Sequence, residues 1–262
     1  MINPESYIQI LVFIIGAMLG SFANVVIYRY PKGESVVAPR SHCYSCKKTI
    51  PFYFNIPILS WLLLLGKCFF CKSKISMRYF VVEVMMATFF VISYQKFGLS
   101  ISFYESLIFI FGLVTISMID FDHFIIPDLF SLSGILIGVI GALINPDRSV
   151  VDSLLGLFIG GGFLYFTAYV FFLIRKQMGM GGGDIKLIAW VGAVLGLVSI
   201  PFVIIVSCFL GSIIGVVLML RSGEGRSQKL AFGPYISLAA LIYLIWGENL
   251  ISIYLNWFLK AA

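Results

Sequence analysis

Charge is what this sequence has least of. Of its 262 residues only 11% are charged and 60% are apolar. A soluble domain carries about 25% charged residues, so a soluble globular chain is excluded. Mean hydropathy is +1.03. A basic start is also lacking. Glu5 is the only charged side chain ahead of the first apolar run, Tyr7–Tyr28, and the positive charge follows it at Arg29. That excludes a cleavable secretory signal and predicts an anchor whose N-terminus lies outside. Internal repeats, heptad runs and low-complexity tracts are missing as well.

What is present is a series of apolar stretches, most of them near the roughly 20 residues that a spanning helix needs. They predict an all-α polytopic membrane protein of about eight transmembrane helices: Tyr7–Tyr28, Tyr79–Gln95, Ile101–Ile119, Leu129–Ile144, Ser153–Ile174, Ile185–Val198, Pro201–Leu220 and Pro234–Phe258. Three segments follow: a first helix in residues 1–29, a polar insert in residues 30–78, and a seven-helix membrane domain in residues 79–262.

The net charge of +6 does not imply nucleic acid, because its distribution is a membrane one. Arg29, Lys32, Arg40, Lys47, Lys48, Lys67, Lys72, Lys74, Arg78, Arg175, Lys176, Lys186, Arg221, Arg226 and Lys229 fall on one side. These are 15 of the 18 basic residues, and Lys96, Arg148 and Lys260 fall on the other side. Basic residues near helix ends stay cytoplasmic. The insert is therefore expected in the cytosol, and both termini outside. Gly160-Gly161-Gly162 lies inside the fifth helix, where small residues allow close helix packing.

The insert carries Cys43-Tyr-Ser-Cys46 and Cys68-Phe-Phe-Cys71, two C-x-x-C pairs with 21 residues between them. Each pair can grip a metal through two thiolates, and together they complete a tetrahedral zinc site. Reduced thiols without metal, or two disulfides, are the alternatives. A cytosolic loop disfavours disulfides. With all four positions filled by protein, zinc here would be structural. His42 is expected as a loop neighbour of a ligand, and Cys208 as a small packed hydrophobe.

Only twelve acidic residues exist, and four of them lie in two short segments. Met118-Ile-Asp120-Phe-Asp122-His123-Phe-Ile-Ile-Pro127-Asp128 ends the third helix. Gly179-Met-Gly181-Gly-Gly183-Asp184-Ile-Lys186 opens the sixth. These helices run in opposite directions, so Asp120 and Asp184 fall at similar depth. Ionisable groups at membrane depth are costly and are functional candidates. Two carboxylates sharing a partly dehydrated site share a proton, so one activates water while the other donates to a carbonyl. The glycines before Asp184, Gly181 and Gly183 among them, would let a substrate backbone approach. Asp122, Asp128 and Lys186 are expected to support this site; on a blander reading Asp122 suits a solvated helix end, Asp128 an N-cap, and Lys186 a positive-inside anchor. The residues alone leave two chemistries open: a catalytic aspartate pair, and a proton or ion path built on the same carboxylates.

In its motifs the chain resembles the type IV prepilin peptidase family, also called prepilin leader peptidase/N-methyltransferase, of the GxGD intramembrane aspartyl proteases. Those motifs are Gly20-Ser-Phe-Ala-Asn24-Val-Val-Ile-Tyr-Arg29, Ser41-His-Cys43-x-x-Cys46, and Asn55-Ile-Pro57-Ile-Leu-Ser60-Trp61. Gly66-Lys67-Cys68-x-x-Cys71, Ile75-Ser76-x-Arg78-Tyr79 with Glu83, the two aspartate segments, and Phe232-Gly233-Pro234-Tyr235 follow in family order. The resemblance implies cleavage of the basic leader of prepilins or pseudopilins on the cytosolic side, with Asp120 and Asp184 catalytic. It also implies N-methylation of the new terminus from S-adenosylmethionine, associated with the insert, where Gly66, Lys67 and Glu83 match. No glycine-rich fingerprint for that cofactor is present. Phe54 departs from the pattern, standing where members commonly carry an acid. Partners are then the pilin precursor and membrane lipid. A transporter would place polar groups along a mid-membrane path, where charges are almost absent here. A scaffold would tolerate loss of either aspartate.

Overall fold

The computed structural model describes residues 4–177, 179–222 and 230–261. Arg226 and Lys229 of the basic side lie outside these residues. Among the described residues the regular elements are helices. The helices are α1 (Pro4–Arg29), α2 (Leu59–Leu63), α3 (Met77–Phe97), α4 (Ile101–His123), α5 (Asp128–Ile144), α6 (Val150–Arg175), α7 (Gly182–Leu195), α8 (Ser199–Ser222) and α9 (Gly233–Ala261). Among the described residues, six of them (α1, α3, α4, α6, α8 and α9) are long and apolar enough to cross a membrane. Helix α5 is apolar but shorter, and α7 has 14 residues. At 1.5 Å per residue α7 is about 21 Å long, short of a hydrocarbon core of about 30 Å. The chain is a multi-pass membrane protein.

Its residues form two compact units, the first ending at Thr115 and the second beginning at Ile116, so that the boundary runs through α4. In the first unit α1 packs along α3. Gly16 and Gly20 make this possible: a Cβ on either would come within 2.7 Å of the Cα of Ala87 or Glu83. Small residues four apart are how helices approach when lipid, as apolar as they are, gives no hydrophobic drive. Asn24 adds a hydrogen bond of 3.0 Å from its Nδ2 to the Tyr79 carbonyl. Residues 30–76 form a loop segment with short 3₁₀ turns and the single-turn-scale helix α2. Buried Arg29 holds its near end by donating to the Ser35 and Pro39 carbonyls.

In the second unit α7 is the central element and packs against α5, α6, α8 and α9. Every residue from Leu187 to Ala193 is buried, which is what a helix apolar on all sides requires. The approach of α6 to α7 is closest at Gly156 and Gly192. A Cβ on Gly192 would lie 2.1 Å from the Gly156 carbonyl oxygen. In the Gly160–Gly162 run, Gly160 and Gly161 face Ile200 and Ala189 in contact range, whereas Gly162 faces nothing within 4 Å. The close-packing role belongs to two of the three. Phe158, Phe163, Tyr165 and Phe166 point away from the protein on α6, as residues meant for lipid do. Cys208 also departs from expectation. It is exposed on α8, because Val203 and Ser207 occupy the buried face.

Candidate active site and metal centre

The second unit gathers the acidic motifs. Asp120 lies in the last turn of α4 with 5% of its surface exposed. Its Oδ2 accepts the backbone N–H of Gly233 at 2.9 Å. Gly233 opens α9, so the donor is one of the unpaired amides at a helix start, where anions are stabilised. A Cβ there would stand 2.7 Å from Oδ2, so any other residue would push the carboxylate out of place. Pro234, with no N–H of its own, is at home in a first helical turn.

Asp184 lies in the first turn of α7, after the N-cap Gly181, on the side of the helix dipole that favours a carboxylate. Its own N–H bonds the Gly181 carbonyl at 3.2 Å. A Cβ on Gly181 would come 3.6 Å from Asp184 Oδ2. The starts of α7 and α9 meet around Ile126. A Cβ on Gly183 would touch the Ile126 Cβ at 2.7 Å, and one on Gly233 would reach its Cδ1 at 3.2 Å. Ile126 comes into this position because α4 ends abruptly. Phe124 adopts φ +57°, with its N–H on the Asp120 carbonyl at 2.9 Å, a left-handed turn that bulky residues seldom make.

The remaining acidic-motif residues separate from this centre. Asp122 is exposed. Asp128 is not the N-cap of α5: Pro127 holds that position, without a side-chain cap. Asp128 is the first residue of the helix and pairs with Lys186 of α7. Lys186 is thus a cross-helix partner as well as a basic residue near a helix end. The side chains of Lys186 and Asp128 are 36% and 60% exposed, which makes the pair a weak clip.

The four cysteines converge in the first unit. Their Sγ atoms lie within 4.8 Å of one another, with Cys43 and Cys71 at 3.7 Å. Thiolates around zinc at about 2.3 Å stand about 3.8 Å apart, whereas a disulfide needs about 2.05 Å. The donor set fits zinc. Each pair is held by the same knuckle. Lys47 N–H bonds the Cys43 carbonyl and Cys43 N–H the Lys48 carbonyl, and Lys72, Cys68 and Ser73 repeat this 25 positions later. Lys47 and Lys72 have φ of +59° and +58°. The segment therefore contains a short internal repeat, C-x-x-C-K-x-x-I, that the sequence reading did not register. Burial works against ionising Cys43, but bonds from the Cys46 and Ser45 backbone and the Ser73 hydroxyl outweigh it and bring its thiol down to about 6. A thiolate ready at neutral pH is what a metal ligand must be.

Comparison with known proteins gives the family. Residues 107–216 match the Type IV leader peptidase family, and residues 14–97 match the Bacterial Peptidase A24 N-terminal domain. A prepilin leader peptidase/N-methyltransferase of Aeromonas hydrophila is 33% identical over 277 residues, covering 95% of this chain and 94% of that one. Those of Stutzerimonas stutzeri and Legionella pneumophila are 31% and 30% identical, covering 97% and 98% of this chain and 96% and 98% of theirs. The chain belongs to the type IV leader peptidase family. It is an enzyme, a peptidase. No solved structure matches it.

The N-terminal match of this family member spans both knuckles and the three residues expected near methyl transfer. Lys67 is exposed. Gly66 is buried with φ +64°, and a Cβ on it would press 2.8 Å from Trp61 Cζ2. Glu83 is 7% exposed, and its Oε2 accepts the Ile58 N–H at 2.7 Å. Gly233, Ile126 and Trp61 were given no role from sequence, although all three sit inside quoted motifs.

Proposed function

We propose that this peptidase removes the basic leader of type IV prepilins or pseudopilins at the cytosolic face of the bacterial inner membrane, using Asp120 and Asp184, and then N-methylates the new terminus. The observation that carries the proteolytic half is the convergence of α4, α7 and α9 on Ile126, with Asp120 tethered to the Gly233 amide. An amide N–H stabilises negative charge, so Asp120 is suited to carry the charge of the pair and Asp184 the proton. Asp120 takes a proton from water as the water oxygen attacks the scissile carbonyl, and Asp184 gives its proton to the carbonyl oxygen. The tetrahedral intermediate collapses as the leaving nitrogen gains a proton and the carbonyl re-forms. Gly181, Gly183 and Gly233 keep side chains out of this space. The split of the basic residues supports a cytosolic knuckle and external termini.

Cys43, Cys46, Cys68 and Cys71 hold structural zinc in this scheme. S-adenosylmethionine, when bound, supplies an electrophilic methyl group. Mass spectrometry of a prepilin co-expressed with the enzyme tests both halves at once. Leader loss and an added methyl group are expected. An intact prepilin made with a folded enzyme would refute the assignment.

A further inference from the structure

The segment that joins α1 to α3 is basic without relief. From Ser35 to Val82 there is neither Asp nor Glu, while seven Lys and Arg residues fall in the same stretch. It also carries an apolar ridge. In and just after α2, Leu59, Leu62, Leu63 and Leu65 are exposed, the last two at 82% and 79%. Met77 and Val81, at the start of α3, are exposed as well. A single exposed leucine is ordinary. Six exposed apolar side chains on two elements that pack together mark an interaction surface.

Depth decides what this surface meets. Helix α3 has 21 residues and is long and apolar enough to cross a membrane. At 1.5 Å per residue it is about 31 Å long, which matches a hydrocarbon core of about 30 Å. Its first turns therefore lie at the headgroup boundary, and α2 is fastened to them. Trp61 stacks on Phe80 at 5.0 Å, and the Ile58 N–H donates to Glu83 Oε2 at 2.7 Å. Phe80 and Glu83 stand three and six residues beyond Met77, the first residue of α3, about 5 and 9 Å along its axis. Interfacial helices bury their apolar faces about 5–10 Å into this layer. The backbone gives a second, independent sign. Leu65 has φ +52°, a left-handed position that glycine or asparagine fills at an ordinary helix end. An exposed leucine there is strained and gains nothing from packing within the protein. Its side chain has a use only where something outside the protein covers it.

We propose that α2 and Leu65 form an interfacial anchor that seats this segment in an anionic lipid surface beside α3. The leucines enter the acyl boundary, and Lys67, Lys72 and Lys74, all exposed, meet the headgroup phosphates. Lys67 and Lys74 are bridged side by side, and basic groups near an anionic leaflet are attracted to it. Charge selects lipid over protein as the occupant. A second copy would set one acid-free basic stretch against another, and the leader of a prepilin is itself basic. Cys68 follows Leu65 by three residues, so the anchor also fixes the second knuckle against the bilayer. The inference is independent of both halves of the proposed function and requires only that α3 crosses the membrane.

Photocrosslinking tests this on the full-length protein, reconstituted with a prepilin in vesicles of phosphatidylethanolamine and a minor share of phosphatidylglycerol. Leu63→p-benzoylphenylalanine and Leu65→p-benzoylphenylalanine each place a group that reacts with C–H bonds on the ridge. Thr49→p-benzoylphenylalanine, at an exposed polar position of the first knuckle, is the comparison. Mass spectrometry should find phospholipid adducts at positions 63 and 65 and none at 49. Phosphatidylglycerol should be enriched in those adducts about fivefold over its share of the vesicle lipid. Lys67→Gln, Lys72→Gln and Lys74→Gln together should remove the enrichment and leave the adducts. Adducts to the prepilin or to a second copy in place of lipid would overturn the anchor. So would the absence of any adduct at 63 and 65 in a folded protein, or lipid adducts equally frequent at 49. Lipid adducts without phosphatidylglycerol enrichment would overturn the headgroup contacts.

Discussion

The two centres are assembled in opposite ways. In the knuckle, each C-x-x-C pair is shaped by hydrogen bonds that reach no more than five residues along the chain, and one local motif is used twice. In the acidic centre, the decisive contact joins residues 113 apart, from the Asp120 carboxylate to the Gly233 amide. Asp184 arrives on a third helix whose placement depends on glycine contacts with α5 and α6. A metal site made of repeated turns tolerates variation around it as long as the thiols stay. A carboxylate site made by converging helices depends on every helix that converges. Damage to the two centres should therefore differ in kind.

The largest effects are expected at the acidic centre. Asp120→Asn and Asp184→Asn should each lower leader cleavage at least about 10³-fold, with the protein still folded in detergent. Near-normal cleavage by either variant would remove the pair from the mechanism. Gly233→Ala should come next, at about 10²-fold, because displacing a catalytic group by about 1 Å costs that much. If Gly233→Ala cleaves like wild type, the amide tether has no catalytic consequence.

At the knuckle, Cys43→Ser and Cys71→Ser should lower zinc content, thermal stability and methylation more than cleavage. Metal counting, melting curves and pilin mass spectra on the same preparations would show it. A variant that keeps zinc and stability would contradict the four-thiolate site.

Acidity and chelation sharpen the comparison on wild type. Below the lower limb of the rate profile both aspartates hold protons and no base remains. Above the upper limb both are ionised and no acid remains. Cleavage rate against pH should be bell-shaped, its limbs belonging to the pair and not to either residue. Brief chelation should leave cleavage in place. Rapid, zinc-reversible loss of cleavage with the fold intact would assign the chemistry to the metal instead.

The smallest effect is expected where the acidic segments meet solvent. Lys186→Ala and Asp128→Asn break an exposed ion pair worth about 0.2–1 kcal/mol. Melting temperature should barely move, and cleavage should fall far less than in the Asp120 and Asp184 variants. A collapse of stability in either would show that the clip between α5 and α7 carries more than exposure allows.

What was legible in the sequence follows the same division. Apolar runs give helices directly, and six of the eight expected stretches correspond to helices of spanning length. The cysteine spacing led to a true cluster, because ligand geometry is encoded within a few residues. Asp120 and Asp184 stood out because charge is rare in such a chain. The partner of Asp120 did not. A backbone amide carries no side-chain signal, so Phe232-Gly233-Pro234-Tyr235 was visible as a motif and silent about its role. The same holds for Phe124 and Ile58, whose positive φ values contradict their residue types and arise only from tertiary constraint. Asp128 was misplaced by one position because Asp at a helix start serves equally as a cap or as a first-turn anion, and the choice fell to Lys186 on another helix. Cys208 was misjudged because composition does not say which face of an apolar helix meets protein and which meets lipid.

The bond from Asp120 to Gly233 also sets an order of events during synthesis. The ribosome makes Asp120 long before the amide that receives it, and α5, α6, α7 and α8 must all be made and inserted in between. Until α9 enters the bilayer, the half-built chain carries a carboxylate near the membrane edge with no tether and no finished cleft. The tether on the proposed catalytic Asp120 thus forms only once α9 is in place.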